Sequence, residues 1–283
     1  MRKTRIKIGV VAPATRLDPN LADRLAALAG EIYPENPPEI RIHPQCFLSC
    51  GHFAGEDALR QAAFLEYADD ESLDALWFAR GGYGTCRIAD AAAKLTEAAR
   101  RKIYLGYSDT GFLLGALYKQ GFTVAHGPMP ADLIRQGGET AVARALRFLV
   151  EGAVDALEPS VRQGEKFAAF NMTILSQMLG TALQPDLSGH ILMLEEVSEY
   201  MYRIDRAMFH LTGNPSIRKV AGIMLGRCSE IPPNAPEFGQ GEEEVVRHWC
   251  ETAGIAYLGR ADIGHDIENK IVPFGAGFFQ IAL

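Results

Sequence analysis

Residues able to do covalent chemistry stand out first in "KIYLGYSDTGFLLGALYK" (102–119), where Ser108-Asp109 separates a short apolar strand-like run from a helix-like one. Hydrolases place a nucleophilic serine on such a strand-to-helix turn, beside backbone amides that hold an oxyanion. The match to G-x-S-x-G is incomplete, because position 110 is Thr. Helix capping by Ser108 or Asp109 explains the same letters, so both readings stand. A second loop, Arg80-Gly81-Gly82-Tyr83-Gly84, follows the strand-like "LDALWFA". Its glycines free the backbone to point amides at a ligand, though a plain tight turn fits equally. It is neither the G-x-G-x-x-G fingerprint nor a P-loop.

A serine attacks poorly unless a base takes its proton and a third group orients that base. Histidine is the usual base. His43, His52, His126, His190, His210 and His248 sit in contexts suited to surface or core roles, whereas His265 lies in the polar loop "DIGHDIENK" after the strand-like "IAYLGR". For the orienting acid, Glu195 and Glu196 close the strand-like "HILML". A salt bridge from these to Arg203 or Arg206 in the following helix is the structural alternative. Cys46, Cys50, Cys86, Cys228 and Cys250 are odd in number and irregularly spaced, hence free thiols rather than a disulfide framework. Cys46-x3-Cys50-x-His52 lacks a fourth metal ligand at suitable spacing. Cys86 has no histidine near it and reads as a helix start.

These residues need a scaffold. "IKIGVVAPA" is a nearly continuous apolar, β-branched run, as expected of a strand buried on both faces. Asp18-Pro19 opens the helix "NLADRLAALAGEIY". Then come "EIRIHP" as strand, "GEDALRQAAFLEYADD" as helix, "LDALWFA" as strand, "CRIADAAAKLTEAARR" as helix, "KIYLGY" as strand, "TGFLLGALYKQ" as helix, "FTVAHG" as strand and "AVARALRFLVEG" as helix. The alternation predicts an α/β fold with a mostly parallel N-terminal sheet flanked by helices. Residues 156–168 are polar, with Pro159 and Gly164, and read as a linker. It separates an N-terminal domain (1–155) from a second, smaller mixed α/β domain (169–283). That domain holds "HILMLEEV" and "VAGIMLG" as strands, with "EYMYRIDRAMFHLT" and "EEEVVRHWCETA" as helices.

The balance of 28 basic against 35 acidic residues gives a formal charge of −7, which argues against nucleic acid as the main partner. The start "MRKTRIKIGVVAPATR" mimics a secretion signal, but its uninterrupted apolar run is shorter than the ~7–15 residues such a core needs. No stretch approaches the ~20 apolar residues of a membrane span. A cytoplasmic protein without membrane partners is expected.

Taken in order, "ARGGYG", "GYSD", "GPM", "ILMLEEVSEYMYRIDR", "IMLG" and "GHDIENKIVPFGA" resemble the LD-carboxypeptidase family of serine peptidases, which includes the microcin C immunity peptidases. The resemblance runs from "GVVAPA" to the carboxyl end. It implies a Ser-His-Glu triad. The family's "G-[YH]-S-D" segment puts the nucleophile at Ser108. The first carboxylate after its "I-L-x-L" strand puts the acid at Glu195, and its "G-H" puts the histidine at His265. Strand alternation alone could not choose Glu195 over Glu196. Oxyanion donors would be amides of Gly81 or Gly82 and of Asp109. Glu196 stands where the family commonly has Asp, and Phe170-Asn171-Met172 replaces a glycine-rich "G-G-N-L".

The resemblance further implies release of the terminal D-alanine from murein tetrapeptides in the cytoplasm, with no metal or other cofactor. The family often forms homodimers, and no exposed stripe in this sequence marks an interface. The substrate's free carboxylate asks for a cation, for which Arg80, Arg203, Arg206 and Lys270 are candidates by neighbourhood; each could equally be a structural ion pair. Two other functions compete. One is an immunity-type peptidase acting on an acyl-nucleotide; the other is a non-catalytic protein binding an anion or peptide.

Overall fold

Five short apolar runs of the N-terminal half line up side by side in the computed structural model, which describes residues 5–276. They are β1 (Lys7–Val11), β2 (Glu39–Ile42), β3 (Ala75–Phe78), β4 (Ile103–Gly106) and β5 (Thr123–His126). All pair in parallel, in the order β5-β4-β3-β1-β2. Every residue of β3 is buried, the burial on both faces that helical crossovers impose on parallel sheets. The connecting helices are α1 (Asn20–Ile32), α2 (Asp57–Asp69), α3 (Gly111–Lys119) and α4 (Gly138–Glu151). The basic start of the signal-like segment, residues 1–4, lies outside the described residues; β1 occupies its apolar run.

The second sheet is also parallel, in the order β6 (Lys166–Asn171), β7 (His190–Val197), β8 (Gly222–Ser229) and β9 (Tyr257–Arg260). It carries α5 (Met172–Met178), α6 (Met201–Gly213) and α7 (Glu242–Ala253). A last strand, β10 (Val272–Pro273), returns to the first sheet and runs antiparallel to β5. Gly275 then bridges to Phe167 of β6. The segment between β9 and β10 therefore leaves one sheet and enters the other.

One expected element is corrected. "CRIADAAAKLTEAARR" is not one α-helix but three 3₁₀ segments, Thr85–Arg87, Ala89–Lys94 and Glu97–Arg101. Thr96 is extended, and its hydroxyl accepts from the Ala98 N–H at 3.3 Å, restarting the chain where a helix would run on.

The two sheets share one core, in which Phe78, Tyr104, Leu113 and Leu117 join Phe170, Leu175, Leu192 and Met208. Helix α3 lies inside it; residues 111–117 are all buried, which suits a helix apolar all round. Two small residues let α5 approach. A β-carbon on Gly111 would meet Ile174 at 3.1 Å and Phe170 at 3.5 Å, and one on Gly115 would meet Met178 at 2.5 Å. No helix among the described residues is long and apolar enough to cross a membrane.

Candidate active site

Between β4 and α3 the chain turns sharply. Tyr107 is extended, and Ser108 has φ 60, a left-handed conformation uncommon outside glycine. The turn leaves no room at Gly106, where a β-carbon would stand 2.6 Å from Thr110 Oγ1 and 2.7 Å from Phe78. Thr110 donates its hydroxyl to the Tyr107 carbonyl at 2.7 Å, so the residue that departs from G-x-S-x-G itself braces the turn. Neither Ser108 nor Asp109 caps a helix with its side chain. Instead, Asp109 Oδ2 accepts from the Thr85 N–H at 2.9 Å, tying the elbow to the end of the glycine loop.

The Ser108 hydroxyl lies 3.0 Å from His265 Nε2, and His265 Nδ1 lies 2.5 Å from Glu195 Oε2. A carboxylate only accepts hydrogen bonds, so Nδ1 carries the proton and Nε2 presents its lone pair to the serine O–H. Glu195 is fully buried at the end of β7, and its Oε1 has no hydrogen-bond partner among the described residues. Burial pushes the His265 pKa down, but the charge of Glu195 and its hydrogen bond together outweigh this and raise it. The Tyr107 ring lies 4.8 Å from the imidazole, centroid to centroid. Glu196 faces elsewhere. It accepts from Asn171 Nδ2 at 2.5 Å, from the Thr173 N–H at 3.0 Å and from the Thr173 hydroxyl at 2.8 Å, holding the start of α5. Neither glutamate pairs with Arg203 or Arg206.

Gly81 flanks the serine. A β-carbon there would sit 2.9 Å from Ser108 Cβ and Oγ and 3.5 Å from the Asp109 nitrogen. Gly82, at φ 110, turns towards Thr15, whose hydroxyl donates to the Gly81 carbonyl at 2.6 Å. Among the described residues, neither the Gly81 nor the Gly82 N–H donates to another backbone group. The candidate cations fall into two groups. Arg203 pairs with Glu199 at 3.4 Å, Arg206 lies over the Tyr202 ring, and Lys270 pairs with Glu268 at 3.3 Å. Arg80, exposed beside Gly81, has no side-chain ion pair or hydrogen bond among the described residues.

Two supports went unread in the sequence. Gly226, inside β8, would bring a β-carbon within 3.0 Å of Glu195 Cβ and 2.8 Å of the Ile263 carbonyl; a glycine in a strand interior is the signal for such an approach. Asn269 Oδ1 accepts from the Gly264 N–H at 3.2 Å and from His126 Nε2 at 3.3 Å, fastening the histidine loop to β5. No cluster of three or more His, Cys, Asp or Glu suited to a metal occurs among the described residues.

Comparison with known proteins places the chain in a family. Residues 8–127 match the LD-carboxypeptidase N-terminal domain and residues 166–278 the LD-carboxypeptidase C-terminal domain. The chain is 29% identical over 286 residues to a protein of Bacillus subtilis named probable murein peptide carboxypeptidase, covering 95% of this chain and 86% of that one. The crystal structure of muramoyltetrapeptide carboxypeptidase from Oxalobacter formigenes superposes with a TM-score of 0.79 at 23% identity, covering 94% of this chain and 93% of that one. The microcin C7 self immunity protein MccF, in complex with aspartyl sulfamoyl adenosine, superposes with a TM-score of 0.76 at 17% identity, covering 95% and 91%.

Proposed function

The chain belongs to the LD-carboxypeptidase family, and on that premise we propose that it is a serine carboxypeptidase releasing the terminal D-alanine of murein tetrapeptides. The observation that carries this reading is the unbroken hydrogen-bonded path from Ser108 through His265 to Glu195, with Gly81 against the serine. In this reading residues 1–155 supply the nucleophile and 169–283 the acid and base, joined through 156–168.

Ser108 Oγ attacks the scissile carbonyl as its proton passes to His265 Nε2. The N–H groups of Gly81 or Gly82 and of Asp109 receive the oxyanion, aided by the positive end of α3. As the carbon–nitrogen bond breaks, His265 returns the proton to the departing amine; water then cleaves the acyl-enzyme by the same route. Glu195 holds the imidazole tautomer and stabilises its charged form. Arg80, the unpaired cation beside the loop, is the group we assign to the substrate's terminal carboxylate.

Five free cysteines fit a reducing compartment, and we take the enzyme to be cytoplasmic. A homodimer, as the family resemblance implies, would have a solution mass near twice 30.9 kDa.

An acyl-nucleotide substrate is the competing reading within the family. Both tryptophans are engaged elsewhere: Trp77 is fully buried and donates to the Pro128 carbonyl at 2.7 Å, and Trp249 donates to Asp205 at 2.8 Å. Trp77 offers no exposed face, and Trp249 packs edge to face with Phe209 and His248, so neither favours a nucleobase. The deciding experiment offers purified protein a murein tetrapeptide or an aminoacyl sulfamoyl adenylate and follows product by mass spectrometry. D-alanine release at the higher kcat/KM supports the proposal; preference for the adenylate rejects it. No turnover of either substrate leaves a non-catalytic binder.

A further inference from the structure

His265 hangs from residues 261–271, a stretch without regular structure that crosses from one sheet to the other. Arg144 of α4 holds the far half, donating to the carbonyls of Ile267 at 3.0 Å and Asn269 at 2.8 Å. The near half, which carries the histidine, is gripped by Arg227 of β8. The guanidinium donates through Nη2 to Asp266 Oδ1 at 2.8 Å and through Nε to Asp266 Oδ2, while Nη1 donates to Asp262 Oδ1 at 2.5 Å. The Arg227 backbone N–H also donates to the Ile263 carbonyl at 2.8 Å. One planar group therefore holds the residue directly after His265 and the residue three before it.

The register of the sheet explains how Arg227 reaches this loop. Leu194 pairs with Leu225, but Glu196 pairs with Cys228, so three residues of β8 face two of β7. Such a bulge re-aims the side chains around it. Here Gly226 comes against Glu195, and the next residue reaches the histidine loop. Both aspartates are about a third exposed, with side-chain accessibilities of 35% for Asp262 and 34% for Asp266. Exposed ion pairs add little stability, but a bidentate fork fixes geometry closely.

We propose that Arg227 is a positioning residue: its grip on Asp262 and Asp266 fixes the backbone on both sides of His265, so that the imidazole spans Ser108 and Glu195. This rests on the role given to His265 above. The test uses the full chain and its Arg227→Met, Arg227→Lys and Asp266→Asn variants. It compares D-alanine release, the rate at which a fluorophosphonate labels Ser108, and Tm.

Arg227→Met is expected to stay folded and keep KM within about twofold, while kcat and labelling fall together by about 10–100-fold. Arg227→Lys recovers little, since an ammonium cannot form the fork. Asp266→Asn falls between, and the Arg227→Met/Asp266→Asn pair loses no more than Arg227→Met alone. Full activity in folded Arg227→Met, complete rescue by lysine, or a loss confined to KM would each overturn the proposal. Should Arg227→Met not fold, Asp266→Asn decides: unchanged kcat and labelling reject the positioning role. A wrong substrate assignment shows separately, as an unmodified chain that is labelled at Ser108 yet releases no D-alanine.

Discussion

Gly81 lies so close to Ser108 that a β-carbon built on it would stand 2.9 Å from both Cβ and Oγ of the serine. The contact is with a short side chain on a turn already at φ 60, so little can yield. Gly81→Ala should therefore displace the nucleophile relative to the oxyanion amides and lower kcat by about 10²-fold. Gly82→Ala should also lose stability, about 1–3 kcal/mol, because φ there is 110 and an added β-carbon would stand 2.6 Å from Thr15 Cγ2. Steady-state kinetics and thermal melts of the two variants separate these effects.

The pH–rate profile should carry the signature of His265. Burial pulls its pKa down, and the charge and hydrogen bond of Glu195 more than reverse that, leaving it above 6.5. A base must be unprotonated to act, so kcat/KM should fall as pH drops through a midpoint above 6.5. Glu195→Gln removes the Glu195 charge, the largest raising cause, and leaves only the smaller one from Asp132 beside any neutral hydrogen bond. Its acid limb should move to lower pH, while kcat falls by about 10³–10⁴-fold through loss of the correct tautomer.

His126 makes the opposite prediction, for stability. It is buried between the Tyr107 ring and Asn269. Burial pushes its pKa down to about 4, and the Glu195 charge and the Asn269 hydrogen bond only partly offset this. Below the unfolded value of 6.5, the unfolded chain takes up the proton first. This group's stability is therefore complete above pH 6.5 and is lost as pH falls towards 4, by about 3 kcal/mol. In urea melts, His126→Gln should flatten the pH slope of stability over that window relative to the unmodified chain; an identical slope would contradict this.

The serine turn was legible as a turn, because an apolar strand gives way to an apolar helix across two polar letters. Helix capping explained the same letters, and only the family resemblance chose between the two readings. The choice between Glu195 and Glu196 was not legible. Both faces of "HILML" are buried, and what separates the two carboxylates is distant: Gly226 and His265 on one side, Asn171 and Thr173 on the other. The histidine loop looked merely polar, since its anchors Arg144 and Arg227 lie in other elements. The run from Cys86 to Arg101 has helical spacing, yet Thr96 bonds its own neighbourhood and breaks it. Strand β10 is two residues long and leaves no periodicity to read.

Replacing Ser108 by alanine puts the whole chemical account to the test. The variant should keep the fold and Tm of the unmodified chain and release no detectable D-alanine from murein tetrapeptide. Release at the unmodified rate by folded Ser108→Ala would contradict a serine mechanism.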